Sequence, residues 1–148
     1  MCPSSQRVIQ PEDFVSTTRA TGTFEVHLKP LGAYNTDDPT LARMSIDKQF
    51  HGDLEATSKG EMLSAGTAFK DSAGYVAIER VTGSLNGRKG SFVFQHSATM
   101  TRGVPKLSVV VTPDSGTEDL AGLTGTFMIL IDKGKHSYEF DYSLPASD

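Results

Sequence analysis

From Ala20 to Leu144 the chain alternates apolar and polar residues with a period of two, in eight segments set apart by turn-forming residues. Alternation of this kind sends successive side chains to opposite faces of a strand, so each segment reads as a half-buried β-strand. Gly22, Phe24, Val26 and Leu28 open the series, followed by Met44, Ile46, Lys48 and Phe50. A third segment runs from Leu54 to Phe69, with expected breaks or bulges at Gly60 and Gly66. Tyr75 to Leu85 and Arg88 to Thr101 follow, then the Val-rich stretch Leu107 to Thr112. Leu123, Gly125, Phe127, Ile129 and Ile131 form the seventh, and His136, Tyr138, Phe140, Tyr142 and Leu144 the eighth. No segment carries a sustained helical period.

The connections are short. Asn86-Gly87 is the strongest hairpin signal, because both residues tolerate positive φ. Pro30 to Pro39, Asp71 to Gly74, Arg102 to Pro105, Pro113 to Asp119 and Lys133-Gly134 supply the other main turns and loops. Consecutive strands joined this way make an antiparallel meander, and an open meander leaves two unpaired edges. Closure removes both, so the expected fold is all-β, a closed eight-stranded antiparallel up-and-down barrel. A barrel of this size has room inside for packed side chains or one small ligand. The polar, Pro-punctuated residues 1–19 read as an N-terminal arm with a turn at Pro11 to Phe14, and 20–148 as a single barrel domain.

Composition narrows the function classes. The 148 residues include 14 Lys+Arg against 18 Asp+Glu, a net charge of −4 with no basic stripe, which argues against nucleic acid as a partner. The longest apolar run, Phe127 to Ile131, is too short to span a membrane, and the N-terminus has no apolar leader. One cysteine, Cys2, excludes an intrachain disulfide framework and fits a reducing, cytoplasmic setting.

Several blocks carry a family resemblance. They are Ile46-Asp-Lys-Gln-Phe-His-Gly-Asp-Leu-Glu-Ala56, Gly74-Tyr-Val-Ala-Ile-Glu-Arg80 with Gly83-Ser-Leu-Asn-Gly-Arg88, Ser91-Phe-Val-Phe-Gln-His96 with Met100-Thr-Arg-Gly103, and Pro113-Asp-Ser-Gly-Thr117 with Leu120-Ala-Gly-Leu-Thr-Gly125. Through them the chain resembles an uncharacterised bacterial family of small domain-of-unknown-function proteins, over residues 20 to 144. Members of that family adopt a barrel similar to plant allene oxide cyclase, and relatives often form oligomers. The resemblance therefore implies an allene-oxide-cyclase-like barrel and a homo-oligomer, and no assigned activity. The cyclase binds a fatty-acid epoxide in its barrel, and the similarly folded dirigent proteins steer phenoxy-radical coupling. Both use an apolar cavity with a few polar groups. Fold alone does not transfer either reaction, and none of the cyclase's catalytic residues is carried over to this chain.

Residues that interrupt an apolar phase are the candidates for chemistry, since burying a polar group is unfavourable unless it is paired. Lys48 sits in phase with Ile46 and Phe50, and His96 with Phe94 and Ala98. On the fourth strand either Glu79, in phase with Tyr75, Ala77 and Val81, or Arg80, in phase with Val76 and Ile78, must face inward. A bulge at Gly83 would exchange the two. Lys48, Glu79 and His96 are expected to converge as an acid/base or ligand-orienting set, or else as a buried pair that fixes register beside a hydrogen-bonded core histidine. Tyr75, Tyr138 and Tyr142 could offer hydroxyls to a cavity, while His136 is expected at the surface. His27, His51, His96 and His136 form no metal-ligand motif, so neither a metal nor another cofactor is expected. Ser115 lacks the setting of a serine nucleophile and reads as a turn residue. The leading expectation is a barrel that binds a small apolar molecule, with isomerase or cyclase-like chemistry as its finer form. The alternative is a non-catalytic protein that oligomerises or binds a partner through outward-facing Val76, Ile78, Val110, Met128 and Leu130.

Overall fold

A computed structural model describes residues 16–145. Eight strands follow in order: β1 (Thr18–Leu31), β2 (Leu41–Gly52), β3 (Leu54–Gly66), β4 (Ala73–Leu85), β5 (Arg88–Thr101), β6 (Val104–Val111), β7 (Thr124–Asp132) and β8 (Lys135–Ser143). Each pairs antiparallel with the next, and β1 pairs with β8, so the sheet closes into a barrel as the alternation predicts. No helix among the described residues is long and apolar enough to cross a membrane. Cys2 and the expected turn at Pro11 to Phe14 lie outside the described residues.

Several strand ends differ from the sequence expectation. β1 begins at Thr18, where Thr18 pairs with Tyr142 and the Arg19 guanidinium donates two hydrogen bonds to Asp141, at 2.8 and 3.0 Å. It continues through Pro30, which pairs with Met44 at the end of the ladder, where a missing N–H is tolerated. β3 runs unbroken through Gly60 and stops at Gly66, because the Thr67 hydroxyl ties down the turn to Ser72. No bulge occurs at Gly83, which pairs with Ala56 on one side and Gly90 on the other. The Asn86-Gly87 hairpin forms as expected, with φ of 49° and 85°.

One end of the barrel is closed. Phe24, Phe50, Phe92, Phe94, Phe127, Tyr138 and Phe140 meet inside it and are almost fully buried. Their rings pack at centroid distances such as 4.7 Å for Phe94–Phe127 and 5.0 Å for Phe92–Phe94, in the tilted and edge-on arrangements that aromatic quadrupoles favour. The loop from Thr112 to Leu123 caps this end. A single 3-10 turn (Glu118–Leu120) presents Leu120, and Leu123 follows it, both fully buried. Ser115 holds the loop in place by accepting a hydrogen bond from the Val93 backbone N–H at 3.0 Å.

The opposite end is open. Leu28, Leu107 and Ile131 share the inward phase of their strands yet are 47%, 42% and 66% exposed. The wall also has a thin seam: among the described residues β6 and β7 pair only at Val110–Thr126. Beyond that bridge the two strands part toward the open end, and Pro105, with no N–H to donate, lies on the parted stretch.

Candidate functional site

Between the two ends lies a band of buried polar side chains. Glu79 on β4 is flanked by the inward-facing Ala77 and Val81 and pairs across the sheet with Gly60 and Phe94. Gly60 explains how a carboxylate fits there. A Cβ at that position would lie 2.1 Å from the Ile78 carbonyl oxygen and 2.6 Å from the Glu79 Cα, so only glycine allows the strands this close. Lys48 on β2 pairs with Ser58 on β3, and both point inward beside Glu79. His96 on β5 completes the set.

Glu79 is fully buried and has three side-chain partners. Its Oε2 accepts from Lys48 Nζ at 2.8 Å and from His96 Nε2 at 2.5 Å, while Oε1 accepts from the Ser58 hydroxyl at 2.6 Å. Burial by itself pushes the carboxyl up. The His96 hydrogen bond, the Lys48 charge, and the bonds from Lys48 and Ser58 outweigh it and hold the pKa at about 2. Glu79 is therefore ionised at neutral pH. Lys48 balances it, and the ammonium also sits 5.1 Å from the Phe24 ring centroid and 5.8 Å from that of Phe50.

The ionised carboxylate also sets the state of His96. Glu79 only accepts, so Nε2 turns a proton toward it. Nδ1 faces the Tyr75 hydroxyl, one layer nearer the open end, at 3.5 Å. The ring of Tyr75 lies 6.1 Å from that of His96, and burial followed by the Glu79 charge raises its phenol pKa. Glu79, His96 and Tyr75 thus form a line running from the interior toward the open end. Chemically it suits proton movement: a carboxylate, an imidazole bonded to it through Nε2, and a phenol kept protonated on the other ring nitrogen's side.

The structure brings Lys48, Tyr75, Glu79 and His96 together and separates the other two candidates from them. Arg80 faces outward and donates to the Ser91 hydroxyl at 3.2 Å, because Glu79 takes the inward phase and no bulge exchanges them. Tyr138 belongs to the closed end. Its hydroxyl accepts from the Leu54 N–H at 3.0 Å and donates to the His51 carbonyl at 2.9 Å, and burial helps push its pKa up to about 12. Tyr142 is likewise engaged there, accepting from Asn86 Nδ2 at 2.7 Å. His136 is half-buried rather than superficial: it shares the inward phase with Phe24, whose ring lies 5.1 Å away.

Ser58 carries no mark in the sequence reading, and Gly60 figures there only as an expected break or bulge. Their signal was present as two small residues in the inward phase of β3, but it acquires meaning only once register sets them beside Lys48 and Glu79. Among the described residues, no buried side-chain nitrogen or oxygen lacks a partner, and no group of three or more His, Cys, Asp or Glu is placed to hold a metal ion. On the outer wall, Leu63, Val76 and Ile78 stand exposed along a groove of about 620 Å³, beside the Arg43–Glu61 ion pair at 2.8 Å.

Comparison with known proteins agrees with this architecture. A family model described as a protein of unknown function, DUF3224, matches residues 20–142. A crystal structure of a DUF3224 protein of unknown function from Shewanella oneidensis MR-1 is 51% identical, with a TM-score of 0.85, covering 89% of this chain and 100% of that one. No curated protein matches. A family model over nearly the whole barrel and a related fold at half identity lead to one conclusion: the chain belongs to the DUF3224 family, whose function is unknown.

Proposed function

We propose that this protein binds a small, largely apolar molecule in the open half of its barrel, over the cluster of Lys48, Glu79, His96 and Tyr75. One observation carries the reading. A charged, fully paired polar band is buried directly beneath inward-facing Leu28, Leu107 and Ile131, which remain exposed. Register alone does not call for such a band, since an apolar set of the same volume would pack at least as stably. The aromatic half of the interior is filled, so the molecule occupies the open half and not the whole barrel.

The finer form of the proposal is chemistry like that of an isomerase or cyclase, such as allene oxide cyclase, with His96 moving a proton and Tyr75 supplying a hydrogen bond to an oxygen of the ligand. The setting is cytoplasmic, without nucleic acid, membrane or cofactor. Native mass spectrometry of purified protein tests the binding. An adduct released on denaturation is expected, and it should be absent from a Lys48→Met/Glu79→Gln double variant that still folds. Adduct-free protein whose amide spectrum apolar probes leave unmoved sinks the reading.

A second reading rests on the exposed Leu63, Val76 and Ile78 of the outer wall: a homo-oligomer or partner complex that covers them. Light scattering decides it. A strict monomer that stays monomeric at high concentration would count against the homo-oligomer.

A further inference from the structure

Resting on that reading of the open half, we infer that His96 Nδ1 is the ligand's anchor, and that the molecule it selects is a neutral apolar compound bearing an acidic hydroxyl, such as a phenol or enol.

Three observations converge on this atom. First, every other hydrogen bond in the cluster is short: Glu79 receives Lys48 at 2.8 Å, Ser58 at 2.6 Å and His96 Nε2 at 2.5 Å. Among the described residues Nδ1 has only the Tyr75 hydroxyl at 3.5 Å, the outer limit of a hydrogen bond, so this nitrogen of a nearly buried histidine lacks a short partner. An incoming O–H would give it a short partner by displacing the phenol. Second, the inward-facing neighbours of His96 and Tyr75 on β4 and β5 are Ala77 and Ala98, the smallest side chains that keep the apolar phase. Nearer the closed end the same phase of β5 carries Phe92 and Phe94 instead.

Third, charge selects against anions. Lys48 and Glu79 already neutralise each other at 2.8 Å, and a carboxylate or phosphate would bring an unmatched negative charge beside a buried carboxylate. A neutral hydroxyl brings none. When its proton passes to Nδ1, the O–H bond breaks, an N–H bond forms, and the electron pair stays on the ligand oxygen. The new imidazolium and Lys48 then flank Glu79, so the cluster gains one positive charge as the ligand gains one negative charge. That balance favours an enolate or phenolate formed in place.

The test uses the full-length protein and three probes of nearly equal size, 4-ethylphenol, 4-ethylanisole and 4-ethylbenzoate, titrated while following the amide signals of Leu28, Leu107 and Ile131. The phenol is expected to bind at least tenfold more tightly than the ether, and the benzoate more weakly still. His96→Phe removes both ring nitrogens and puts no acceptor in their place, while Glu79 keeps Lys48 and Ser58, so it should abolish the preference for phenol over ether while both still bind. Equal binding of phenol and ether, or a preference for the benzoate, overturns the inference and leaves the apolar-binding reading standing. A preference that persists in His96→Phe overturns the role of Nδ1. Failure of all three probes to bind overturns both.

Discussion

The closed and open ends of this barrel are made from the same alternating strands, and they differ in what the inward positions carry. At the closed end those positions hold large aromatics under a loop that delivers Leu120 and Leu123 as a plug. At the open end they hold Tyr75, Ala77, Ala98, Ile46, Met44 and Met62, with Leu28, Leu107 and Ile131 exposed, while β6 and β7 pair at a single bridge. The first arrangement maximises buried apolar area and supplies most of the stability. The second forgoes burial and leaves a nearly buried histidine facing the way out. Stability and the candidate chemistry are therefore segregated along the barrel axis, with Glu79 at the boundary.

Substitutions at the two ends put this division to the test. Phe94→Ala at the closed end should destabilise by about 3–5 kcal/mol in denaturant unfolding, through lost transfer energy and the cavity left behind. A loss no larger than that of an open-end aliphatic would mean that the packing difference has no energetic counterpart. At the boundary, Glu79→Ala strands the Lys48 ammonium without its partner and should also cost about 3–5 kcal/mol. The paired change Lys48→Met/Glu79→Gln, which removes both charges, should fall within about 1 kcal/mol of the parent. If the double variant were as unstable as Glu79→Ala, the ion pair itself would be what holds the strands in register.

Acid offers a gentler probe of the same boundary. The Glu79 carboxyl has its ordinary value of 4.5 lowered to about 2 in the folded state, so its contribution is full above pH 4.5 and is lost as pH falls through 2. The double variant should show a shallower decline of stability across that window. Matching declines would show that exposed carboxylates, not Glu79, dominate acid sensitivity. The smallest effect belongs to the open end. Leu107→Ala, at an already exposed position, should change stability by less than about 1 kcal/mol, and amides of β6 and β7 beyond the Val110–Thr126 bridge should exchange fastest among the strands. Slow exchange there would mean that the seam is covered in solution.

Much of this was legible in the primary structure. Alternation announced each strand, Asn86-Gly87 announced its hairpin, and the wrong-phase Lys48 and His96 marked the polar band. Arg80 and Glu79 could not be told apart, since each stood in a run of apolar neighbours and a single bulge would reverse them. Tyr75 and Tyr138 looked equivalent for a related reason: both are inward strand tyrosines, and only their position along the axis separates a phenol facing His96 from one bonded to the Leu54 and His51 backbone. Gly60 read as a break because glycine often ends a strand, whereas here it makes space for Glu79.

The sequence by itself determined what is periodic and local: eight strands, their turns, the inward phase of each, and closure as the way to satisfy two edges. Those follow from side-chain alternation and backbone turn chemistry, which neighbouring residues carry. Only the tertiary structure decided which inward residues meet, which end is plugged, and where the wall parts. Those depend on register and on distances between strands far apart in the chain. A carboxylate on β4, an ammonium on β2 and an imidazole on β5 become one site only when the sheet curls and a glycine on β3 lets them close in.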